Sequence, residues 1–253
     1  MARIIAVVSG KGGVGKTTFC INLAYVLSNY FKRRVLLIDT NFTSSHVGIS
    51  LGLYYPEYNL NKLLRNECTP EQAVHNYYKS MDVLPLSMSI RDLENVNITL
   101  LPNFVKKFDE KYDFIILDSA PGLGREAITS IQSCNEVIYV TNPFLISAID
   151  ISRVQEVVRE LNKKEVGIVI NMWRKNIFEL NEKDILNIFG GKVIGKIDYD
   201  ERFLKAAMHK LPATLLYPNS NFTKQYLEIA SKITGEIISI RKSILDYLFF
   251  WRK

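Results

Sequence analysis

The hydrophobic positions of this 253-residue chain fall in short, nearly unbroken apolar runs separated by stretches with helical spacing. The runs "RIIAVVS", "RVLLID", "MDVLPL", "YDFIILD", "EVIYVTN", "EVGIVIN" and "KVIGKI" predict strands. Several are apolar on consecutive residues, as in strands covered on both faces. Between them the spacing predicts helices near 16–30, 70–78, 97–110, 124–133, 147–163, 181–189 and 200–210, and a C-terminal helical tail from about 219. Alternating strands and helices imply an α/β fold, a mostly parallel sheet with helices on both faces. No repeat, low-complexity tract or long linker interrupts the pattern. The expectation is a single domain over 1–238 followed by an amphipathic helix over 239–253.

Composition narrows the class. Hydrophobic residues make up 47% and charged residues 23%, an ordinary globular balance. No apolar run approaches the roughly 20 residues that span a bilayer. The start "MARIIAVVS" lacks the apolar region and cleavage site of a secretory signal, so a cytoplasmic protein is expected. Cys20, Cys68 and Cys134 lie far apart with no C-x-x-C pair and read as reduced thiols. His46, His75 and His209 show no zinc-like spacing. A net charge of +6 and a pI near 9.1 suit contact with an acidic surface, nucleic acid or anionic lipid, and choose neither.

The stretch "VVSGKGGVGKTT" carries the chemistry. It contains G-x-x-x-x-G-K-[ST] between a predicted strand and a predicted helix, the context of a phosphate-binding loop. Gly10, Gly12, Gly13 and Gly15 let backbone N–H groups converge on phosphate oxygens, with Lys11, Val14 and Thr18 completing the loop. The helix N-terminus adds partial positive charge there. Lys16 is expected to neutralise the β- and γ-phosphates, and the Thr17 hydroxyl to ligate Mg²⁺. Asp118 ends the run "FIIL", at the carboxyl end of a buried strand, where open α/β sheets bind ligands.

"GKGGVGKTT" resembles the deviant Walker A loop of the MinD/ParA family of P-loop NTPases. The similarity continues through "VLLIDTNFTSSHVGISLGL", "DVLPLSMS", "YDFIILDSAPGLG" and "VTNPFLISAIDISRV" and covers most of residues 1–210. The start directly at the first strand and the stretch "VGISLGL" are similar to the MinD branch. The resemblance implies an ATPase with ATP and Mg²⁺ as cofactors. It implies that Lys11 reaches across a homodimer interface to the neighbour's nucleotide, with the electrostatic logic of an arginine finger. It implies that Asp118 orients Mg²⁺ through a water, that Pro121 and Gly122 sense the γ-phosphate, and that Asp39 is the first-switch aspartate near Mg²⁺. It also implies that Asp150 pairs with Lys11 at rest and that Asn171 reads the adenine edge. Two positions depart from the family pattern. Asn41 stands where an aspartate helps to position the attacking water; an amide keeps the hydrogen bonds but loses the charge and any proton-accepting role. Slow turnover and a long-lived ATP-bound dimer are therefore expected. Asp198 stands where a proline is common in the loop "GKIDYDER".

The chain ends "EIISIRKSILDYLFFWRK". Read as a helix, Ile240, Ile244, Leu245, Leu248 and Trp251 share one face, widened by Tyr247, Phe249 and Phe250 and flanked by Arg241, Lys242, Arg252 and Lys253. Such a segment suits the interface of an anionic membrane, and dimerisation would present two copies together. The expectation is a peripheral membrane ATPase that positions a cargo or regulatory protein. Alternatives are a partitioning ATPase binding nonspecific DNA through Arg202, Lys205, Lys210 and Lys224, and a nucleotide-locked scaffold with negligible hydrolysis. An electron-transfer relative with a bridging iron–sulfur cluster is disfavoured by the dispersed cysteines.

Overall fold

The first apolar run forms β1 (Arg3–Val8), a strand inside the sheet, and its side chains explain the unbroken pattern. Ile5 and Val7 point into one hydrophobic cluster, whereas Ile4, Ala6 and Val8 point into a second on the other face. The computed structural model describes residues 1–237. After β1 come α1 (Lys16–Asn29), β2 (Val35–Thr40), α2 (Val47–Ser50), α3 (Leu60–Leu64), α4 (Pro70–Ala73), β3 (His75–Tyr78) and β4 (Met81–Leu84). Two 3₁₀ turns, Ile90–Leu93 and Ile98–Leu100, lead into α5 (Leu101–Lys106). The chain continues with β5 (Phe114–Ser119), α6 (Arg125–Gln132), β6 (Glu136–Thr141), α7 (Leu145–Glu160), β7 (Lys164–Trp173), α8 (Glu182–Phe189) and β8 (Val193–Asp198). Helices α9 (Arg202–Met208), α10 (Ala213–Leu216) and α11 (Asn221–Thr234) close the described chain.

Among the described residues the strands form one sheet in the order β3-β4-β2-β5-β1-β6-β7-β8, parallel except for β3. The expected α/β architecture with helices on both faces is the one observed. Helices α1 and α11 cover the face of Ile5 and Val7, with Phe19 stacked on Tyr226 at 5.7 Å. The other face buries Leu101 and Phe108 with Ile151, Ile185 and Phe189.

Two predicted helices need correction. The helix expected over 70–78 is helical only over Pro70–Ala73, and His75–Tyr78 is an edge strand antiparallel to β4. A capping box between Thr69 and Gln72 starts the helix, but Val74 is already extended. Lys79 then turns the chain back with a φ of 47°. The helix expected over 97–110 is shortened to Leu101–Lys106 after a 3₁₀ turn. The first part of the tail expected from about 219 is α11, which buries Phe222, Tyr226, Ile229, Ala230 and Ile233 against the domain. The amphipathic segment expected over 239–253 lies outside the described residues.

Candidate functional site

Parallel strands end together, so β1, β2 and β5 deliver their last residues to one edge. The register pairs Asp118 of β5 with Val7 on one side and with Asp39 of β2 on the other. The phosphate loop leaves β1 at this edge. Ser9 accepts at its carbonyl from Gly122 N–H at 2.8 Å, and Ser119 Oγ donates to the Val7 carbonyl at 2.7 Å. These bonds tie the turn at Pro121 and Gly122 to the base of the loop.

The loop is held from two directions. At Gly10 a Cβ would stand 2.4 Å from the backbone of Asp150, so α7 packs directly on the loop's first turn. Gly15 has a φ of +83°, and a Cβ there would meet Asn171 Nδ2 at 2.4 Å. That nitrogen donates to the Val14 carbonyl at 2.8 Å. Asn171 therefore reaches the phosphate loop, and its amide group holds the loop itself. Gly12, Gly13 and Thr18 are exposed at the mouth, and Val14 is buried beneath it.

Lys16 and Thr17 begin α1 and face Asp118. Thr17 Oγ donates to Asp118 Oδ2 at 2.6 Å, and Lys16 Nζ lies 3.4 Å from Asp118 Oδ1. Donating its proton to the carboxylate leaves the Thr17 oxygen with lone pairs for a cation. Asp39 is fully buried. It accepts from Asn41 N–H (3.1 Å), Ser45 Oγ (3.0 Å) and the N–H groups of His46 and Val47 (3.1 Å each). It thus organises the turn over residues 41–47 as well as facing Asp118. Burial first, and then the charge of Asp118, push its carboxyl up to about 7. Two buried carboxylates beside one lysine form a site with room for further positive charge. Thr17, Asp39 and Asp118 fit a Mg²⁺ ion on that donor chemistry.

Asn41 is buried, and its Nδ2 donates to the Ser44 carbonyl at 2.7 Å. Its Oδ1 is buried without a partner, an acceptor left free at the switch turn. Lys11 is half-buried and makes no ion pair among the described residues; its carbonyl accepts from Ser9 Oγ at 3.0 Å. The pairing expected between Asp150 and Lys11 is absent among these residues; Asp150 lies 3.9 Å from Arg153 on its own helix. Asp198 takes over the place of a proline by accepting from Lys175 (2.9 Å) and Asn221 (2.8 Å).

Sequence reasoning did not find Glu126. Its carboxylate accepts from Thr43 N–H at 3.2 Å and so links the turn after β2 to α6, which follows the Gly122 turn. A glutamate in the first turn of a helix reads as dipole complementation, so no local pattern marks it.

Comparison with known proteins agrees with this geometry. Residues 1–234 match the ParA family model, described as NUBPL iron-transfer P-loop NTPase. An uncharacterized ATP-binding protein of Methanocaldococcus jannaschii is 31% identical over 241 residues, which cover 95% of this chain and 91% of the relative. The septum site-determining protein MinD of Thermotoga maritima is 27% identical over 264 residues, 98% of this chain and 96% of the relative. Among solved structures, the cell division ATPase MinD of Pyrococcus furiosus superposes with a TM-score of 0.89 at 28% identity, covering 93% of this chain and 99% of its own. MinD of Pyrococcus horikoshii, complexed with Mg-ADP, gives 0.88 at 26% identity, covering 92% and 96%. With the family match running from the first residue to the end of α11, the chain belongs to the MinD/ParA family of P-loop ATPases and takes ATP with Mg²⁺.

Proposed function

We propose that this protein is a slow ATPase that dimerises on ATP, attaches to an anionic membrane when dimeric, and thereby positions a partner protein. One observation carries the dimer: a cation unpaired among the described residues stands beside an apolar rim at the nucleotide edge. Leu123, Phe144, Leu145, Ile146 and Ile149 are all more than a third exposed. Four of them lie at the start of α7, the helix whose Asp150 backbone packs on Gly10. Such a rim suits burial against a second copy across the nucleotide. Lys11, with no carboxylate partner among the described residues, is then available to the neighbour's phosphates.

Within a subunit, Lys16 neutralises the terminal phosphates and the loop N–H groups bind their oxygens. Thr17 and Asp118, with Asp39 nearby, would hold Mg²⁺, which would supply positive charge against the charge that develops on those phosphates. Asn41 offers Oδ1 to the attacking water as an acceptor but takes no proton, which supports slow hydrolysis. Relatives named as septum site-determining and cell division proteins support a positioning role. The cysteines give no support to the iron transfer in the family description, being dispersed, with Cys20 and Cys134 buried.

The test is cosedimentation with anionic liposomes and with duplex DNA, each with ADP and with a nonhydrolysable ATP analogue. The proposal expects ATP-dependent binding to liposomes. Binding to DNA alone would favour the partitioning reading, which the exposed Lys205 and Lys224 support. Arg202 contributes little to that reading, since it is engaged with Asp200 at 2.6 Å and lies over Phe222.

A further inference from the structure

The edge of the sheet opposite the nucleotide carries its own concentration of charge, centred where α1 and α11 both end. Lys32 Nζ donates to the Asn29 carbonyl at 2.6 Å, and Lys79 Nζ donates to Asn29 Oδ1 at 3.0 Å. Arg3 donates to the Ile233 carbonyl, and Arg33 pairs with Glu236. Lys232 occupies the last turn of α11. The arginines have carboxylate partners: Arg3 has Glu136, Arg33 has Glu236 and Arg34 has Asp113. Lys32, Lys79 and Lys232 are exposed and in no ion pair among the described residues.

We propose that this corner, where the described residues end, is a phosphate-binding surface that lies against anionic lipid headgroups. The inference rests on the membrane reading above and adds a second contact to it. Three observations carry it. First, Lys32 and Lys79 bond to neutral oxygens of Asn29, Lys79 also lies over the Tyr78 ring, and none of the three lysines meets a carboxylate among the described residues. Second, Lys32 and Lys79 hold left-handed backbone, with φ of 55° and 47°. Glycine or asparagine is less strained there, so each lysine occupies its place against the local backbone preference. Third, the described chain ends at this corner with Ile237 fully open to solvent, 95% exposed. The sequence that follows, "ISIRKSILDYLFFWRK", is rich in apolar and aromatic residues. A bilayer offers both phosphates for the lysines and an apolar layer for that segment, whereas a duplex offers phosphates with its base faces stacked away.

The backbone supplies a variant that will fold. Lys32→Asn and Lys79→Asn remove charge at positions where asparagine is the easier residue, and Lys232→Gln keeps a helix former. The full-length triple variant should retain its ATPase rate and melt no lower than the parent. With ATP and Mg²⁺, its partition onto phosphatidylglycerol-containing vesicles should fall about a hundredfold, the summed effect of three cations near a charged surface. Its weak binding to pure phosphatidylcholine vesicles should not change. Parent-like binding to the anionic vesicles would overturn the proposal, and so would a loss seen on duplex DNA alone. Deleting residues 240–253 separates the two claims. If deletion abolishes binding while the triple variant binds normally, the tail reading stands and the corner has no role. If deletion changes nothing, the tail has no part in binding, and if neither the parent nor the deletion form binds anionic vesicles, the membrane reading itself fails.

Discussion

Asn171 donates from Nδ2 to the carbonyl of Val14 at 2.8 Å, across 157 positions of sequence, and so fixes the crest of the phosphate loop from the end of β7. Removing the donor leaves a buried carbonyl unpartnered, at a cost of about 1–3 kcal/mol. For Asn171→Ala the expected outcome is that KM for ATP and for GTP rise together by about tenfold. A rise confined to ATP would assign Asn171 to the base instead of the loop.

Asn41 and Ser44 define a second test. The Asn41 amide donates to the Ser44 carbonyl at 2.7 Å while Oδ1 stays free. An aspartate would set a carboxylate oxygen against that carbonyl and add a proton acceptor beside the attacking water. Asn41→Asp should therefore melt at a lower temperature, by about 1–3 kcal/mol of stability. It should also hydrolyse ATP about tenfold faster or more. A hydrolysis rate equal to that of the parent would contradict the role given to Asn41.

Legibility followed length and directness. The parallel strands and the loop from Gly10 to Thr18 were readable because buried runs and glycine spacing are local signals. The edge strand His75–Tyr78 was not, since four residues after a capped turn show no usable alternation. Helices α2, α3 and α10, of four or five residues, are set by tertiary bonds such as Asp39 to the Val47 N–H. The family resemblance implies a place for Asn171 near the nucleotide, but its bond to Val14 depends on a strand far away in sequence. Glu126 and Thr43 likewise meet only because α6 and the turn after β2 share one edge.

The Asp39 carboxyl gives the nucleotide-free protein a characteristic pH response. Burial and Asp118 raise it from 3.8 to about 7. Between those values the native state keeps a proton that the unfolded chain has lost. Its contribution to stability is therefore full below about pH 4 and is lost as pH rises through about 7. In the presence of a chelator, the denaturant midpoint should be higher at about pH 5 than at about pH 8, and Asp39→Asn should flatten the difference. A parent midpoint that climbs across this range would contradict the assignment.

The account turns on ATP being clamped between two copies of the chain, with Lys11 of each serving the other. The most direct measurement is the light-scattering mass in saturating ATP and Mg²⁺, for the parent and for Lys11→Ala. One chain has a mass of 29.0 kDa. The parent should appear at twice that value and Lys11→Ala at the single value while still binding ATP. A parent that stays at one chain, or a Lys11→Ala variant that dimerises as the parent does, would contradict the account.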